Sequence, residues 1–184
     1  MWNIPNIITI SRVLLIPLIA GLFVSPWEYG RESAAILFVF AAATDWVDGY
    51  LARKWDQTSP FGAFLDPVAD KLIVAVTLII LVHDYQNMLW MTIPAFVIIS
   101  REITISALRE WMASIGKRAN VAVATIGKVK TTFQMTAIAF LLFFEAGTVF
   151  AQYSLYILMI ATLLTLWSMI IYLKAAWPIM KGEA

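Results

Sequence analysis

The sequence predicts an all-α membrane protein with six transmembrane helices. Hydrophobic residues make up 61% of the 184 residues and charged residues only 14%, whereas a soluble domain is about 45–50% apolar and about 25% charged. A soluble fold of this length could not bury so much apolar surface, so lipid is expected to be the main solvent. No Gly/Ser-rich linker or block of charge divides the sequence, and we expect a single transmembrane domain over residues 1–184.

Six apolar segments approach the length of about 20 residues that a bilayer-spanning helix needs. Polar breaks at 25–26, 84–87 and 145–152 fall on one side of the membrane, and breaks near 57–60 and 116–120 fall on the other. The predicted spans are 7–24, 33–53, 67–83, 88–112, 127–147 and 151–174.

The distribution of basic residues predicts the orientation. If the N-terminus is inside, Arg31 is the only one of the 13 basic residues in an outer segment. This positive-inside bias predicts that both termini are cytoplasmic. Because Arg12 interrupts the first apolar run and no basic n-region precedes it, we expect Met1 onward in the mature protein. The basic residues are dispersed, which argues against a nucleic-acid partner.

The start of the third span carries a helix signal. Ser59 and Pro60 are typical of an N-cap followed by proline at the first helical position. Pro67 either kinks this helix or begins it, and the sequence leaves both interpretations open.

Four aspartates lie where the second span ends and the third begins, on the predicted inner side. Asp45 and Asp48 are three residues apart, and Asp66 and Asp70 are four apart, so each pair shares a helix face. The turn between the two spans would bring the pairs together. A charge at mid-membrane costs at least about 2.5–3.5 kcal/mol, so acids in such segments call for a functional explanation.

The possible metal ligands in this cluster are all carboxylate oxygens. Four carboxylates this close repel one another, so protons or cations must neutralise them. The chain has no cysteine and a single histidine, and an all-oxygen ligand set favours a hard divalent ion such as Mg²⁺ or Mn²⁺. Two such ions would neutralise the cluster and leave coordination positions for phosphate oxygens.

Small residues and one arginine accompany the aspartates. Gly49 and Ala52 lie on the same side of the second span, and Gly62 lies on the facing segment, where a ligand could approach the backbone. Arg53 supplies a fixed cation whose fork geometry suits phosphate. The segment is therefore predicted to bind a phosphorylated ligand.

This segment resembles the signature of the CDP-alcohol phosphotransferase family at all eight of its fixed positions. These positions are Asp45, Asp48, Gly49, Ala52, Arg53, Gly62, Asp66 and Asp70. The resemblance extends over the whole chain, because that family has about this length and six spanning helices. It implies an enzyme that transfers a phosphatidyl group from a CDP-linked lipid to an alcohol and releases CMP.

The resemblance also implies a role for each residue. Asp45, Asp48 and Asp66 resemble the family's primary metal ligands, and Asp70 resembles its catalytic base, with a share in a second metal site. Two divalent ions, Mg²⁺ or Mn²⁺, and a homodimer are implied. The surface expected to hold the CDP moiety consists of Asp48, Gly49, Ala52, Arg53, Gly62 and Asp66.

Basic residues at the inner ends of later spans indicate the acceptor. Arg101 and Arg109 lie eight residues apart, about 80° around the helix, so the two side chains can converge. Lys128 and Lys130 open the fifth span, near a helix N-terminus that favours anions. We expect Glu102 to orient Arg109. Such a pocket suits an acceptor that carries its own phosphate.

Three further segments resemble one branch of the family, the bacterial phosphatidylglycerophosphate synthases. They are 3–12, 100–102 and 127–128. This likeness implies CDP-diacylglycerol as donor, glycerol 3-phosphate as acceptor with its phosphate on Arg101, Arg109 and Lys128, and a site on the cytoplasmic side of a bacterial inner membrane. Alternatives are a cardiolipin synthase using phosphatidylglycerol, a phosphatidylinositol-phosphate synthase, and a cation transporter.

The polar residues of the first span allow more than one role on sequence alone. Asn6 and Thr9 either cap the first helix or touch the nucleotide. Arg12 is expected to be a snorkelling charge that sets topology.

Overall fold

The computed structural model describes residues 4–54, 59–86, 88–116 and 124–181, and the side chains of 4–5, 45–54, 63 and 124–128 lie outside that description. The described ranges contain six α-helices and no strand, which confirms the predicted fold class. The helices are α1 (Ile4–Val24), α2 (Gly30–Lys54), α3 (Pro60–Asp84), α4 (Leu89–Ser114), α5 (Ala124–Phe143) and α6 (Val149–Met180).

Helix α3 begins at Pro60 rather than at Pro67. The N-cap Ser59 accepts a hydrogen bond on its Oγ from the backbone N–H of Gly62 at 3.0 Å, and Pro60 follows at the first helical position, where its missing N–H costs nothing. Pro67 lies inside the helix. Asp66 and Asp70 therefore project from the body of α3 rather than from its first turn.

The outer surface of the bundle is apolar. Three helices of the described ranges are long and apolar enough to cross a membrane, Asn6–Val24, Leu89–Ser114 and Val149–Met180, and a shorter apolar stretch covers Val129–Phe143. Large side chains such as Phe96, which is 71% exposed, point away from the core. The chain is therefore a multi-pass membrane protein whose outer faces contact lipid.

Helix α1 is the element that joins the first half of the bundle. It packs extensively against both α2 and α3, whereas α2 and α3 contact each other little among the described residues. Helix α5 packs on α6 and α2, and α4 packs on α6 and α3. The core between them includes Phe38, Leu78, Ile98 and Leu141, all buried. The two helices that carry the predicted aspartates are thus aligned largely through α1.

Arg31 organises the end of the bundle where α1, α3 and α5 finish. Its Nη1 donates to Asp84 Oδ1 at 2.8 Å, and its Nη2 donates to the backbone oxygens of Phe144 and Leu141 at 3.0 and 3.3 Å. Its guanidinium also lies 4.5 Å from the centre of the Phe23 ring. The last carbonyls of a helix lack partners within the helix, so Arg31 caps α5 while tying four helices together.

Candidate active site

A cavity of about 1070 Å³ lies at the other end of the bundle. It is lined by the first half of α1, the middle of α2, the first halves of α3 and α5, and the second half of α4. Two groups of opposite charge line it. The acidic cluster is Asp66 and Asp70 on α3, and the basic cluster is Arg101, Arg109 and Lys130 on α4 and α5.

Buried residues of α1 hold both carboxylates of the acidic cluster. Thr9 Oγ1 donates to Asp66 Oδ1 at 2.6 Å, and Arg12 Nη1 donates to Asp70 Oδ1 at 2.5 Å. The side chain of Asp70 is 48% exposed, whereas that of Arg12 is 1% exposed. The acids are therefore presented to the cavity while the groups that support them are covered.

The snorkelling role predicted for Arg12 is wrong. Its guanidinium is buried and paired with Asp70 instead of extending to the membrane surface. A buried guanidinium is retained only where a counter-charge and hydrogen bonds compensate for lost hydration. That counter-charge comes from α3, which a sequence pattern within α1 could not reveal.

Gly62 has a packing role that the sequence did not indicate. A Cβ atom at this position would lie 2.6 Å from Asn6 Oδ1, closer than real Cβ contacts allow, and a tight 3.2 Å from Ser59 Oγ. Asn6 itself accepts a hydrogen bond from Ser59 Oγ at 2.9 Å. The missing side chain of Gly62 thus lets α1 approach α3. A contact between Gly62 and the CDP moiety stays a prediction.

The predicted site residues of α2 lie within the described helix, but their side chains lie outside the description. This applies to Asp45, Asp48, Gly49, Ala52 and Arg53. The helical backbone places the two aspartates about one turn apart. Their meeting with the acidic cluster, and the role of Arg53 on phosphate, remain predictions.

The described donors suit a hard divalent ion. Asp66 and Asp70 offer carboxylates one turn apart on α3, and both line the cavity. Oxygen donors of this kind are those that Mg²⁺ and Mn²⁺ prefer. Within the described side chains alone no group of three or more His, Cys, Asp or Glu forms a complete metal site, so the aspartates of α2 would have to complete it.

One carboxylate oxygen joins two cations of the basic cluster. Glu102 Oε1 accepts from Arg101 Nη1 at 2.9 Å and forms a short hydrogen bond with Lys130 Nζ. Arg101 Nη2 also donates to Ser168 Oγ of α6 at 2.8 Å. The side chains of Arg101 and Lys130 are 8% and 5% exposed. Residues of three helices therefore fix the two cations beside the cavity.

Arg109 has a different partner from the one predicted. Its Nη2 donates to the hydroxyl of Tyr172, and its guanidinium lies 4.7 Å from the centre of that ring. Glu102, which lies about two turns away on α4, pairs with Arg101 and Lys130 instead, so its predicted role in orienting Arg109 is wrong. Spacing along α4 could not show that α5 and α6 supply competing partners.

Lys130 is a residue that the predicted acceptor set did not include. That set named Lys128, whose side chain lies outside the described residues. Both lysines were visible in the sequence at the start of the fifth span, but helical phase alone did not show which one faces Glu102. Nothing in the sequence indicated that Ser168 and Tyr172 of α6 would contact the arginines of α4.

Known proteins resemble this chain over nearly all of its length. A family model described as CDP-alcohol phosphatidyltransferase matches residues 2–171. A protein of Pseudomonas fluorescens is 54% identical over 183 residues, which cover 98% of this chain and 93% of the relative. Proteins of Escherichia coli strain K12 and Salmonella choleraesuis are 50% and 49% identical over 176 residues, or 95% of each chain.

All three relatives carry the name CDP-diacylglycerol–glycerol-3-phosphate 3-phosphatidyltransferase. The family match, the signature from Asp45 to Asp70 and the six-helix membrane fold agree. The chain belongs to the CDP-alcohol phosphatidyltransferase family.

Proposed function

We propose that this chain transfers the phosphatidyl group of CDP-diacylglycerol to sn-glycerol 3-phosphate and yields phosphatidylglycerophosphate and CMP. The observation that carries the proposal is one cavity lined by both an acidic and a basic cluster. That cavity lies in a chain about half identical to enzymes named for this reaction. The acidic cluster would serve the reacting phosphates and the basic cluster the acceptor.

Asp70 is the proposed general base. The hydroxyl oxygen of the acceptor forms a bond to the β-phosphorus of the donor, the bond from that phosphorus to the CMP oxygen breaks, and the hydroxyl proton passes to Asp70. A base must lie within reach of this proton, and the Asp70 carboxylate is the more exposed member of its pair with Arg12. In-line displacement at phosphorus depends mainly on positioning and charge stabilisation.

Two divalent ions, Mg²⁺ or Mn²⁺, are the proposed cofactors. Asp45, Asp48, Asp66 and Asp70 would hold them, and they would supply charge stabilisation for the phosphate oxygens. The remaining CDP contacts are proposed at Gly49, Ala52, Arg53 and Gly62, with Asp48 and Asp66 belonging to both sets.

The basic cluster has a net positive charge that suits a phosphate monoester. Arg101, Arg109 and Lys130 carry three positive charges, and Glu102 and Glu110, which line the same side of the cavity, carry two negative charges, so the net charge there is +1. A phosphomonoester carries a charge of about −1.5 to −2 at pH 7. An uncharged acceptor would leave the excess positive charge of this group without a counter-charge. Lys128 is the further proposed member of this group.

The proposed site opens to the cytoplasm, with both termini on that side. Positive-inside bias supports this orientation, because Arg31 is the only one of the 13 basic residues in a predicted outer segment. A CDP-lipid has acyl chains that favour hydrocarbon and a nucleotide that favours water, and a cavity at one end of the bundle serves both. A homodimer in the bacterial inner membrane is the proposed assembly.

Release of CMP by the purified protein in detergent tests the acceptor. CDP-diacylglycerol, Mg²⁺ or Mn²⁺, and one acceptor at a time are supplied: glycerol 3-phosphate, inositol phosphate, phosphatidylglycerol, or none. We expect release only with glycerol 3-phosphate. Turnover restricted to inositol phosphate or phosphatidylglycerol would show that the proposed acceptor is wrong, while failure with every acceptor would contradict the transferase chemistry itself.

A further inference from the structure

Three polar residues form a stripe along one side of α1, namely Asn6, Thr9 and Arg12. All three are buried, and the only other polar residue of this apolar helix is the exposed Ser11. Buried polar groups cost free energy unless they are hydrogen-bonded, and inside a membrane protein they are rare and tend to be functional. The stripe therefore needs a reason beyond the packing of α1.

Each member of the stripe contacts α3 or the N-cap of α3, and the contacts advance in the same order along both helices. Asn6 pairs with Ser59, Thr9 with Asp66, and Arg12 with Asp70. The two helices thus run in the same direction with a fixed register. One side of α1 sets where the two carboxylates of α3 lie.

Gly62 leaves room for the Asn6 side chain in this register. It lies between Ser59 and Asp66, and a side chain there would meet Asn6. A close approach at Asn6 brings Thr9 and Arg12 within hydrogen-bonding distance of the acids further along α3. The glycine, the N-cap and the stripe therefore act together.

The contacts made by Thr9 and Arg12 differ from ordinary helix-packing contacts in one respect. Their acceptors, Asp66 and Asp70, line the cavity, and each accepts on its Oδ1 atom. A hydrogen bond to one oxygen fixes the rotation of a carboxylate and so fixes where the other oxygen points. Partners of this kind orient metal-binding and catalytic carboxylates and influence the affinity of the site.

We propose that Thr9 and Arg12 are positioning residues for the transferase reaction. They orient the carboxylates of Asp66 and Asp70 toward the bound metal and the acceptor, and Arg12 also offsets the charge of the cluster. This inference rests on the proposed function of the cavity. Neither residue is assigned a contact with substrate.

Purified variants in detergent test this role with two readouts: the affinity for Mn²⁺, measured from the electron paramagnetic resonance signal of unbound Mn²⁺, and kcat for CMP release. Thr9→Val keeps the shape of the side chain and removes the hydroxyl, and Arg12→Lys keeps the charge but loses the planar fork. We expect each to lose about 10–100-fold in Mn²⁺ affinity or in kcat. KM for glycerol 3-phosphate should change little.

Two matched variants separate positioning from stability. Thr9→Ser retains a hydroxyl and should restore most of the Mn²⁺ affinity. Ser11→Ala removes an exposed hydroxyl that donates only to the Ile8 carbonyl of the same helix, so it should behave like the wild type. Thermal unfolding without metal shows which variants fold. If Arg12→Lys does not fold, Thr9→Val alone tests the proposal.

Wild-type Mn²⁺ affinity and kcat in a folded Thr9→Val protein would overturn the inference, and so would equal losses in Thr9→Val and Thr9→Ser. An error in the proposed acceptor would give a different experimental result. If the wild type did not use glycerol 3-phosphate but Mn²⁺ affinity still fell in Thr9→Val and recovered in Thr9→Ser, the positioning role would stand and the acceptor would be wrong.

Discussion

The acidic and basic clusters line one cavity and share one arrangement, in which the cation of each ion pair is buried and the carboxylate is more exposed. In the acidic cluster the carboxylate of Asp70 is half exposed and its cation, Arg12, is buried behind it. In the basic cluster Arg101 and Lys130 are buried, and the more exposed partner is the carboxylate of Glu102. The two clusters differ in their balance of charge, because Asp66 and Asp70 line the cavity beside one buried cation, Arg12, whereas one carboxylate, Glu102, is shared by two cations.

This difference leaves a surplus of negative charge in the acidic cluster and a surplus of positive charge in the basic cluster, and we infer that the surplus charge of each cluster acts on its ligand. A buried charge that loses its partner is costly, because desolvation is then uncompensated. Asp70 is such a partner for the buried Arg12, and Glu102 is such a partner for the buried Arg101 and Lys130. Variants of the acidic cluster should alter metal binding and turnover, and variants of the basic cluster should alter acceptor use.

Replacement of the proposed base should have the largest effect. Asp70→Asn keeps the size of the side chain but cannot take a proton, and general-base catalysis contributes about 10²–10⁴-fold. We expect kcat for CMP release to fall by that factor while CDP-lipid binding is largely retained. Asp84→Asn is the matched control, because Asp84 pairs with Arg31 at the other end of the bundle. Activity retained in Asp70→Asn would remove Asp70 from the base role.

Replacing Arg101 by lysine, which removes the planar fork of the guanidinium, should have the second-largest effect. Arg101→Lys keeps the charge but cannot donate to both Glu102 and Ser168 from one planar group. Hydrogen bonds to charged groups contribute about 1.5–3 kcal/mol, or roughly 10–150-fold. We expect KM for glycerol 3-phosphate to rise within this range while KM for CDP-diacylglycerol stays constant. Equal changes in both KM values would mean that the two clusters are not separate in function.

Removal of the supporting carboxylate should have the smallest effect on the kinetics, although it should lower stability, because Arg101 and Lys130 lose their counter-charge. Glu102→Gln keeps an oxygen acceptor for Arg101 and Lys130 but removes the negative charge. A neutral hydrogen bond is worth about 1 kcal/mol less than a charged one, which corresponds to roughly fivefold. We expect KM for glycerol 3-phosphate to rise by this factor, with kcat nearly unchanged, in steady-state assays. A lower KM would show instead that Glu102 competes with the acceptor phosphate.

The sequence predicted the fold class and the acidic residues of the cavity well, because both depend on local patterns. Apolar run length indicated six helices, and Ser59 with Pro60 indicated where α3 begins. Asp66 and Asp70 stood out because charged residues are rare inside apolar helices. Each of these signals lies within one short segment of chain.

Contacts between helices were the part that sequence could not supply. Arg12 was predicted to snorkel and Glu102 to orient Arg109, but partners for these two residues come from α3 and α5. Helical periodicity shows which residues share a face and not which helix covers it. The pairing of Arg109 with Tyr172, more than sixty residues along the chain, is the plainest case.

Acceptor selectivity tests the division of roles between the two clusters most directly. The measurement is the ratio of kcat/KM for glycerol 3-phosphate to that for glycerol, in the wild type and in Arg101→Lys, with CDP-diacylglycerol as donor. A strong preference for glycerol 3-phosphate in the wild type, reduced at least about tenfold in the variant, is the predicted result. A wild type that uses glycerol equally well, or a variant that keeps the full preference, would contradict the assignment of the basic cluster to the acceptor phosphate.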